Sequence, residues 1–391
     1  MIRSGKTPSK LLSLAAARVR RNRPAVRYRP PTGLSAPIVT VLDGAGRVIV
    51  EEQRAVVRYA LQGAQIIFAA GTTGEWNRID NSRRQLVAQI AVEECRRAAA
   101  AGKTAEAWAG ITAPTRAETL ENLEHALEIA ADAAVVAPLS IADVDDPVEF
   151  VTRGIGEVFE RRGRTLPVYL YDNEDIAAAG KSPHLHTRDV KRMSQLPYVR
   201  GVKVTSGKAV LGNYTRAAAH FKKSGDFAIY PGNAYLIFDL FRQSAGLRGR
   251  LRSGWNRYLT NGALPHGVVA GASNLMPREW RRAWEVCVAG DLALMDRYGT
   301  IMEEFRGAVE SPGKGKKRTI ACLKAGLKHL GVISSDAVAE STPALEPEER
   351  RRFIRSFNEL RRRACVTLEP EWLSHWAAPR LPTRRAALQD A

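Results

Sequence analysis

Residues 199–206 read VRGVKVTS, and this stretch carries the clearest signal for the fold. Its three valines favour a buried strand, because β-branched side chains pack well on a pleated surface. Lys203 stands in the middle of the run, where an unpaired ammonium group would be costly. The residue types alone leave three interpretations of Lys203: a structural lysine paired with an acid, a loop residue, or a lysine held for chemistry.

Seven similar β-branched or apolar runs occur along the chain, at a spacing of roughly 25–40 residues, and most lead into helix-period segments. This alternation predicts parallel βα units, and eight strands are the number that closes a (β/α)8 TIM barrel. A doubly wound open sheet is the second choice, because two of the runs are weak strands by composition. The eight predicted strands are 36–42, 64–71, 105–111, 133–139, 166–172, 199–206, 227–232 and 266–272.

The pattern of segments also predicts how the rest of the chain is organised. We expect a basic N-terminal arm at 1–33 and an α/β barrel at 34–295, interrupted by a basic insertion at about 242–260. A small helical C-terminal addition follows at 296–365. The tail at 366–391 has no clear pattern and stays unassigned.

The charge of the chain is concentrated in two places. The net charge is +18, yet residues 1–31 carry nine basic residues and residues 242–257 carry five, and neither stretch contains an acid. The basicity therefore belongs to appendages, which disfavours nucleic acid as the main partner. Arginines beside Trp255 and Tyr258 still leave three possible contacts for the insertion: nucleic acid, a neighbouring subunit, or anionic lipid.

Cysteine, histidine and hydropathy patterns indicate the compartment and exclude some classes of site. The four cysteines are scattered, which favours a reducing, cytoplasmic location, and no apolar run is long enough for a membrane span. An arginine-rich, acid-free start leaves a mitochondrial transit peptide as an alternative. No cluster of acids or cysteines accompanies His184 and His186 in sequence, and 313–319 (GKGKKRT) does not match a phosphate-binding loop. We predict no metal site and no cofactor.

The end of the second predicted strand carries a candidate anion-binding turn. Residues 71–76 read GTTGEW, and Gly71 and Gly74 permit tight turns. The hydroxyl groups of Thr72 and Thr73, with nearby backbone N–H groups, form a suitable cradle for a carboxylate. In a barrel, such residues meet others that follow the carboxyl ends of the neighbouring strands.

Three further residues lie at strand ends where catalytic groups of a barrel belong. Lys203 lies on strand six, and a buried lysine has a lowered pKa, so its neutral amine can attack a ketone and form an imine. Tyr171 ends strand five and can relay protons. Gly232 follows strand seven, where a missing side chain makes room for a ligand.

The motifs GTTGE, VYLYDN, GVKVTSG and HGVVAGASNLMP together resemble the dihydrodipicolinate synthase and N-acetylneuraminate lyase family of Schiff-base aldolases. The resemblance runs from about Leu34 to Arg363. It implies a (β/α)8 barrel, a small-molecule 2-oxo acid substrate such as pyruvate, and a homo-oligomer, either a tetramer built from dimers or a dimer.

The resemblance also assigns roles to individual residues. It implies that Lys203 forms the imine, that Tyr171 relays protons, and that Thr72 and Thr73 bind the carboxylate and join the relay. The predicted catalytic residues are Lys203, Tyr171 and Thr73. The predicted substrate-binding residues are Gly71, Thr72, Thr73, Thr205, Gly232 and Val269.

Several positions depart from the family pattern. Ser140 stands where the synthase has a second tyrosine, and Ile176 stands near the place of an arginine that grips the second substrate. Both departures argue against a role in lysine biosynthesis. Residues 233–235 lack the acids that sialic acid lyases carry there, whereas Thr205 resembles what sugar-acid lyases have.

The sequence therefore predicts a Schiff-base-forming lyase or synthase that acts on pyruvate or another 2-oxo acid, with a 2-oxo-3-deoxy acid or related compound as substrate. The first alternative is 4-hydroxy-tetrahydrodipicolinate synthase. The second is a barrel without catalysis that binds its partners through the basic appendages.

Overall fold

The computed structural model describes residues 28–217, 226–245, 264–310 and 318–369. In this part of the chain, eight parallel strands form one sheet in the order β7-β6-β5-β4-β3-β2-β1-β8. The strands are β1 (Gly33–Pro37), β2 (Ile66–Ala69), β3 (Glu106–Gly110), β4 (Ala133–Val136), β5 (Val168–Asn173), β6 (Val199–Thr205), β7 (Ala228–Pro231) and β8 (Gly267–Val269).

Helices follow the strands and surround the sheet. Among the described residues, the helices before β8 are α1 (Val50–Ala60), α2 (Asn81–Ala100), α3 (Arg116–Glu128), α4 (Ile155–Arg162), α5 (Thr187–Ser194), α6 (Lys208–Ala217) and α7 (Leu236–Ala245). A helical turn at Pro147–Glu149 and a π-helical turn at Phe150–Gly154 lead into α4. The helices after β8 are α8 (Pro277–Ala289), α9 (Leu292–Glu310), α10 (Thr319–His329) and α11 (Pro347–Thr367).

The two edges of the sheet meet, so the strands form a nearly closed barrel. Strand β8 pairs with β1, with Leu34 opposite Val268. At the other edge, the backbone N–H of His266, just before β8, donates to the carbonyl oxygen of Ile229 in β7, at 3.2 Å. The predicted (β/α)8 barrel is therefore confirmed, and the open doubly wound sheet is not the fold.

The first strand begins earlier than the sequence indicates. The prediction of 36–42 is wrong, because β1 spans Gly33–Pro37 and the β-branched residues after it leave the sheet. Those residues are buried, and two of their backbone N–H groups bind side chains instead of a neighbouring strand. The N–H of Val39 donates to Oδ1 of Asn274 at 3.1 Å, and the N–H of Val41 donates to Oε1 of Gln53 at 2.8 Å.

Aromatic side chains fill the amino-terminal half of the barrel interior. Trp108 stacks on Tyr169, with ring centroids 4.0 Å apart, and Tyr230 meets Trp108 edge-on at 5.2 Å. Below them, the hydroxyl of Tyr28 donates to the carboxylate of Glu106 at 3.0 Å and lies 2.8 Å from the hydroxyl of Tyr169. This end of the barrel is therefore closed, and a ligand must enter from the carboxyl ends of the strands.

The helices after β8 pack on one another beside the barrel. Helix α8 ends at Ala289 and is followed by Gly290, which adopts the left-handed backbone conformation (φ +74°) that glycine accommodates without strain. Phe305 of α9 packs against Phe357 of α11, with ring centroids 6.1 Å apart. Within the described ranges, no helix combines the length and apolar character that a bilayer crossing requires.

Several sequence predictions fall wholly or mostly outside the described residues. They concern the basic arm up to residue 27, most of the insertion at 242–260, the GKGKKRT segment at 313–319 and the tail from residue 370. The domain boundaries, the location in the cell and the oligomeric state remain predictions.

Candidate active site

Strand pairing brings the predicted nucleophile and the predicted proton relay together. In the register of β5 and β6, Tyr171 lies directly opposite Lys203, so both side chains project into the barrel at the same level. The Lys203 Nζ atom lies 3.7 Å from the centroid of the Tyr171 ring and 5.0 Å from that of Phe68. Lys203 is therefore a strand residue, and the loop interpretation is wrong.

The surroundings of Lys203 favour a neutral amine. Its side chain is buried, with 6% of the residue exposed, and it forms no ion pair with any acidic residue in the described part of the chain. Burial lowers the pKa of Lys203, because the charged ammonium loses its hydration, and the charge on Tyr171 opposes this effect. The structural-lysine interpretation lacks the carboxylate partner that it requires.

The hydroxyl of Tyr171 is the centre of a hydrogen-bond cluster. It lies 3.1 Å from Oγ1 of Thr72, accepts a hydrogen bond from Nδ2 of Asn173 at 3.0 Å and faces Oγ1 of Thr205 at 3.5 Å. Burial raises the pKa of Tyr171, but the positive charge of Lys203 and the hydrogen bonds with Thr205, Thr72 and Lys203 outweigh it, so the net pKa is lowered. A phenol in this setting gives up its proton more readily than one in water.

The glycine after β7 leaves the space beside the lysine open. A Cβ atom at Gly232 would lie 2.0 Å from Oγ1 of Thr205 and 3.1 Å from Cε of Lys203. Real Cβ atoms do not approach other atoms so closely. The position therefore requires glycine as long as Thr205 and Lys203 keep their present places.

The GTTGE turn approaches the same space from the end of β2. Gly71 has no room for a side chain, because a Cβ atom there would lie 2.7 Å from the ring of Phe68. Residues Thr72–Gly74 form a 3-10 turn, and Oγ1 of Thr73 lies 3.5 Å from the position that a Cβ of Gly271 would occupy. Val269 of β8 is buried in the interior cluster with Phe68 and Tyr171.

The two positions that depart from the family pattern also lie at this mouth of the barrel. Ser140 is in the 3-10 turn after β4 and is 8% exposed. Ile176 is in the 3-10 turn after β5 and packs against the cluster that includes Tyr171. An aliphatic side chain therefore occupies the region where the resemblance implies an arginine.

Other conspicuous residues lie outside the barrel and have structural contacts. Tyr235 packs edge-on against Trp280, with ring centroids 5.4 Å apart, and does not belong to the mouth. His184 donates or accepts a hydrogen bond with Asp172 at 3.0 Å, and Asp172 also accepts one from Tyr214 at 3.0 Å. The described residues contain no group of three or more potential metal ligands.

Sequence reasoning missed two residues that contact the catalytic pair and two that form an ion pair behind the GTTGE turn. Phe68 and Asn173 contact Lys203 and Tyr171, respectively. Glu75, the last residue of the GTTGE motif, is fully buried and forms an ion pair with the fully buried Lys324 of α10, at 2.5 Å. A lysine inside the apolar helix run 321–327 was a signal that this helix carries a buried charge.

Comparisons with known proteins support the family resemblance. The model of the dihydrodipicolinate synthetase family matches residues 30–357. A 4-hydroxy-tetrahydrodipicolinate synthase from Phenylobacterium zucineum is 22% identical over 295 residues, which cover 74% of this chain and 84% of that protein.

Solved structures have the same fold at low identity. A prophage protein of the dihydrodipicolinic acid synthase family from E. coli K12, in complex with pyruvate, is 18% identical, with a TM-score of 0.67, and the match covers 84% of this chain and 98% of that one. The sialic acid aldolase of Ruminococcus gnavus is 17% identical, with a TM-score of 0.69, and the match covers 86% and 99%. On the match of the family model over most of its length, this chain belongs to the dihydrodipicolinate synthetase family, whose members are lyases and synthases.

Proposed function

We propose that the protein is a Schiff-base-forming lyase or synthase that acts on pyruvate or another 2-oxo acid through Lys203. The main support is the buried Lys203 amine, which lies 3.7 Å from the Tyr171 ring centroid and has no carboxylate partner among the described residues. A solved family member was crystallised in complex with pyruvate, which supports the choice of substrate.

The chemistry begins when the neutral amine of Lys203 adds to the ketone carbon of the 2-oxo acid. The resulting carbinolamine loses its hydroxyl group as water, with a proton from Tyr171, and a protonated imine and a phenolate remain. The phenolate then takes a proton from the carbon next to the imine, which gives an enamine and restores the phenol. The enamine adds to an aldehyde, and hydrolysis of the imine releases the product and the lysine; cleavage follows the reverse path.

The hydroxyl and amide groups of the GTTGE turn would hold the carboxylate of the 2-oxo acid. Thr72 and Thr73 lie at the mouth of the barrel, on the side of Phe68 and Gly271. In this position they can fix the carboxylate while the ketone carbon faces Lys203. Val269 and Phe68 would contact the apolar part of the same substrate.

The partner aldehyde would be uncharged. Ile176, rather than an arginine, packs against the interior cluster, and the two acids Glu174 and Asp175 precede it in the same turn, where they would repel a second carboxylate. Hydroxyl and amide groups of Ser140, Asn173 and Thr205 offer hydrogen bonds rather than charge. These features support a 2-oxo-3-deoxy acid whose aldehyde half bears hydroxyl groups, and they disfavour a partner with its own carboxylate.

Borohydride trapping tests the mechanism. Reduction of the protein in the presence of pyruvate is expected to leave a stable adduct on the peptide that contains Lys203, as detected by mass spectrometry. Lys203→Arg, which keeps the charge but cannot form the imine at neutral pH, is expected to leave no adduct. An unmodified Lys203 with pyruvate and with longer 2-oxo acids would contradict the proposal.

A second assay tests whether the partner aldehyde is uncharged. With pyruvate as donor, condensation with glyceraldehyde is expected to be faster than condensation with an aldehyde that carries a carboxylate. Ile176→Arg is expected to shift this preference toward the acidic aldehyde. A faster reaction of the unaltered protein with the acidic aldehyde would exclude the proposed substrate class while leaving the imine mechanism in place.

A further inference from the structure

Asn173 makes a close polar contact with the proposed proton relay. Its Nδ2 atom lies 3.0 Å from the hydroxyl oxygen of Tyr171, and the contact is buried. Asn173 ends β5 directly opposite Thr205 of β6, so its side chain lies at the mouth of the barrel, one step above Tyr171 and Lys203. Only 7% of the residue is exposed.

A second contact fixes which end of the amide faces the tyrosine. The Oδ1 atom of Asn173 accepts a hydrogen bond from the backbone N–H of Asp175, at 3.2 Å, and this bond caps the 3-10 turn Glu174–Ile176. A backbone N–H can only donate, so the atom that it meets must be the amide oxygen. The NH2 group therefore faces Tyr171, and Asn173 is the donor.

The donor determines where the phenolic proton of Tyr171 can point. A phenol has one proton to donate and two lone pairs to accept with. The amide of Asn173 occupies one lone pair, and the hydroxyl of Thr205, at 3.5 Å, faces the other. Two other groups hydrogen-bond to Tyr171: Oγ1 of Thr72, at 3.1 Å, and the amine of Lys203. A charged amine can only donate, so Thr72 is the group that accepts the phenolic proton while Lys203 is charged.

We propose that Asn173 is a positioning residue that aims the O–H of Tyr171 toward Thr72 and stabilises its oxygen when it carries negative charge. The amide hydrogen bond strengthens when the phenol loses its proton, because charge-assisted hydrogen bonds are stronger than neutral ones. Asn173 thus supports the step in which Tyr171 gives its proton to the departing hydroxyl of the carbinolamine. This inference rests on the proposed function, in which Tyr171 is the proton relay.

Two variants distinguish the hydrogen bond that Asn173 donates to Tyr171 from the one that it accepts from Asp175. Asn173→Asp keeps an oxygen that can accept from Asp175 but removes the NH2 group, whereas Asn173→Val removes both. The first measurement is the rate of pyruvate adduct formation, by borohydride quenching over a range of pH. The second is the ultraviolet titration of Tyr171, as the difference between each protein and the same protein with Tyr171→Phe.

Both variants are expected to form the adduct roughly tenfold more slowly, the scale of one hydrogen bond, without a change in the pyruvate concentration for half-maximal rate. Both are also expected to raise the titration midpoint of Tyr171. Equal rates and midpoints in all three proteins would overturn the inference. Recovery of the wild-type rate in Asn173→Asp would also overturn it, because the cap alone would then explain the effect.

The two proposals fail in different ways. Absence of any adduct in the unaltered protein would contradict the proposed function, whatever Asn173 does. The ultraviolet titration needs no substrate, so it still tests the contact between Asn173 and Tyr171 in that case. An adduct in the unaltered protein with no effect of either variant would contradict only the role of Asn173.

Discussion

Gly232 leaves room for substrate beside Lys203, and its replacement by alanine tests whether the reaction needs that room. The added Cβ would lie 2.0 Å from Oγ1 of Thr205 and 3.1 Å from Cε of Lys203, so one of them must move. Displacement of a reacting group by about 1 Å can cost on the order of 100-fold in rate. We expect Gly232→Ala to slow adduct formation with pyruvate by about that factor, as measured by borohydride quenching.

Gly207→Ala is the matched control for this test. Gly207 lies four residues after Lys203, and a Cβ there would meet nothing within 4 Å. We expect this variant to form the adduct at the unaltered rate. A Gly232→Ala protein that reacted as fast as Gly207→Ala would mean that the site adapts, and that Gly232 does not define the substrate space.

The buried amine of Lys203 is expected to destabilise the fold in a pH-dependent way. Its pKa is lowered in the folded protein, whereas the unfolded chain keeps a value of about 10.4. Below both pKa values the folded state bears the full cost of the buried charge. Above about pH 10.4 both states are neutral and the cost disappears. We expect Lys203→Met to raise the free energy of unfolding by about 1 kcal/mol at pH 6, with a gain that shrinks as the pH rises toward 10.

Urea unfolding of Lys203→Met at several pH values measures this effect. Lys208→Met is the control, because Lys208 is exposed and its ion pair with Asp239 is solvent-accessible. We expect the control to change stability by less than about 1 kcal/mol. A loss of stability in Lys203→Met at pH 6 would indicate that the contact between the ammonium and the Tyr171 ring outweighs the cost of burial.

At the scale of elements, helix α10 contacts the turn that carries the proposed carboxylate cradle and stabilises it. Lys324 forms an ion pair with Glu75 at 2.5 Å, and both side chains are fully buried. Lys324 also donates to the carbonyl of Ala337, and Glu75 accepts from the N–H of Ala339. Glu75 has a left-handed backbone (φ +60°), a conformation that persists in a residue with a side chain only when its surroundings hold it.

Removal of one partner of this ion pair is expected to damage both stability and activity. A buried charge without its partner costs about 3–5 kcal/mol, so we expect Lys324→Met to lower the free energy of unfolding by that amount. The double variant Lys324→Met with Glu75→Gln is expected to recover part of the loss, because no buried charge is left. Denaturant unfolding gives the free energies, and pyruvate trapping tests whether the turn still supports the reaction.

Lys328→Met is the control on the same helix. Lys328 lies one turn after Lys324 and pairs with Asp336 at 3.1 Å, with 45% of its side chain exposed. We expect it to cost less than about 1 kcal/mol and to leave adduct formation unchanged. Equal effects of Lys324→Met and Lys328→Met would exclude the buried pair as the link between α10 and the turn.

Local patterns in the sequence predicted most of the elements, and long-range contacts account for what they missed. The β-branched run at 199–206 predicted β6 to within one residue, because its side chains favour a strand. The bounds of β1 were missed because residues 38–41 continue the same apolar and β-branched run, and only their contacts with Asn274 and Gln53, distant in sequence, reveal that the backbone leaves the sheet.

The same distinction between local patterns and long-range contacts applies to the candidate site. The convergence of Thr72, Tyr171 and Lys203 could be predicted, because the carboxyl ends of parallel strands meet at one end of a barrel. The contact between Asn173 and Tyr171 could not, because it depends on the turn at Glu174–Ile176 that fixes the amide. Pattern reasoning locates positions along strands but does not determine such side-chain orientations.

At the scale of the whole molecule, the first described residue lies at the end of the barrel opposite its mouth. The described chain starts at Tyr28, whose hydroxyl contacts Glu106 at the beginning of β3 and Tyr169 near the beginning of β5. These contacts lie at the amino ends of the strands, opposite Lys203 and the GTTGE turn. Tyr28 therefore lies at the end of the barrel remote from the proposed chemistry.

Deletion of residues 1–27 tests whether the arm and the site have separate roles. Because Tyr28 and its contacts remain, we expect the shortened protein to fold and to trap pyruvate at the unaltered rate. The combined change, deletion with Tyr28→Ala, is expected to lower the melting temperature, because it opens the amino end of the barrel and removes a hydrogen bond to the partly buried Glu106. A shortened protein that keeps its melting temperature but loses pyruvate trapping would show that the arm contributes to the active site, and the two ends of the barrel would then not be independent.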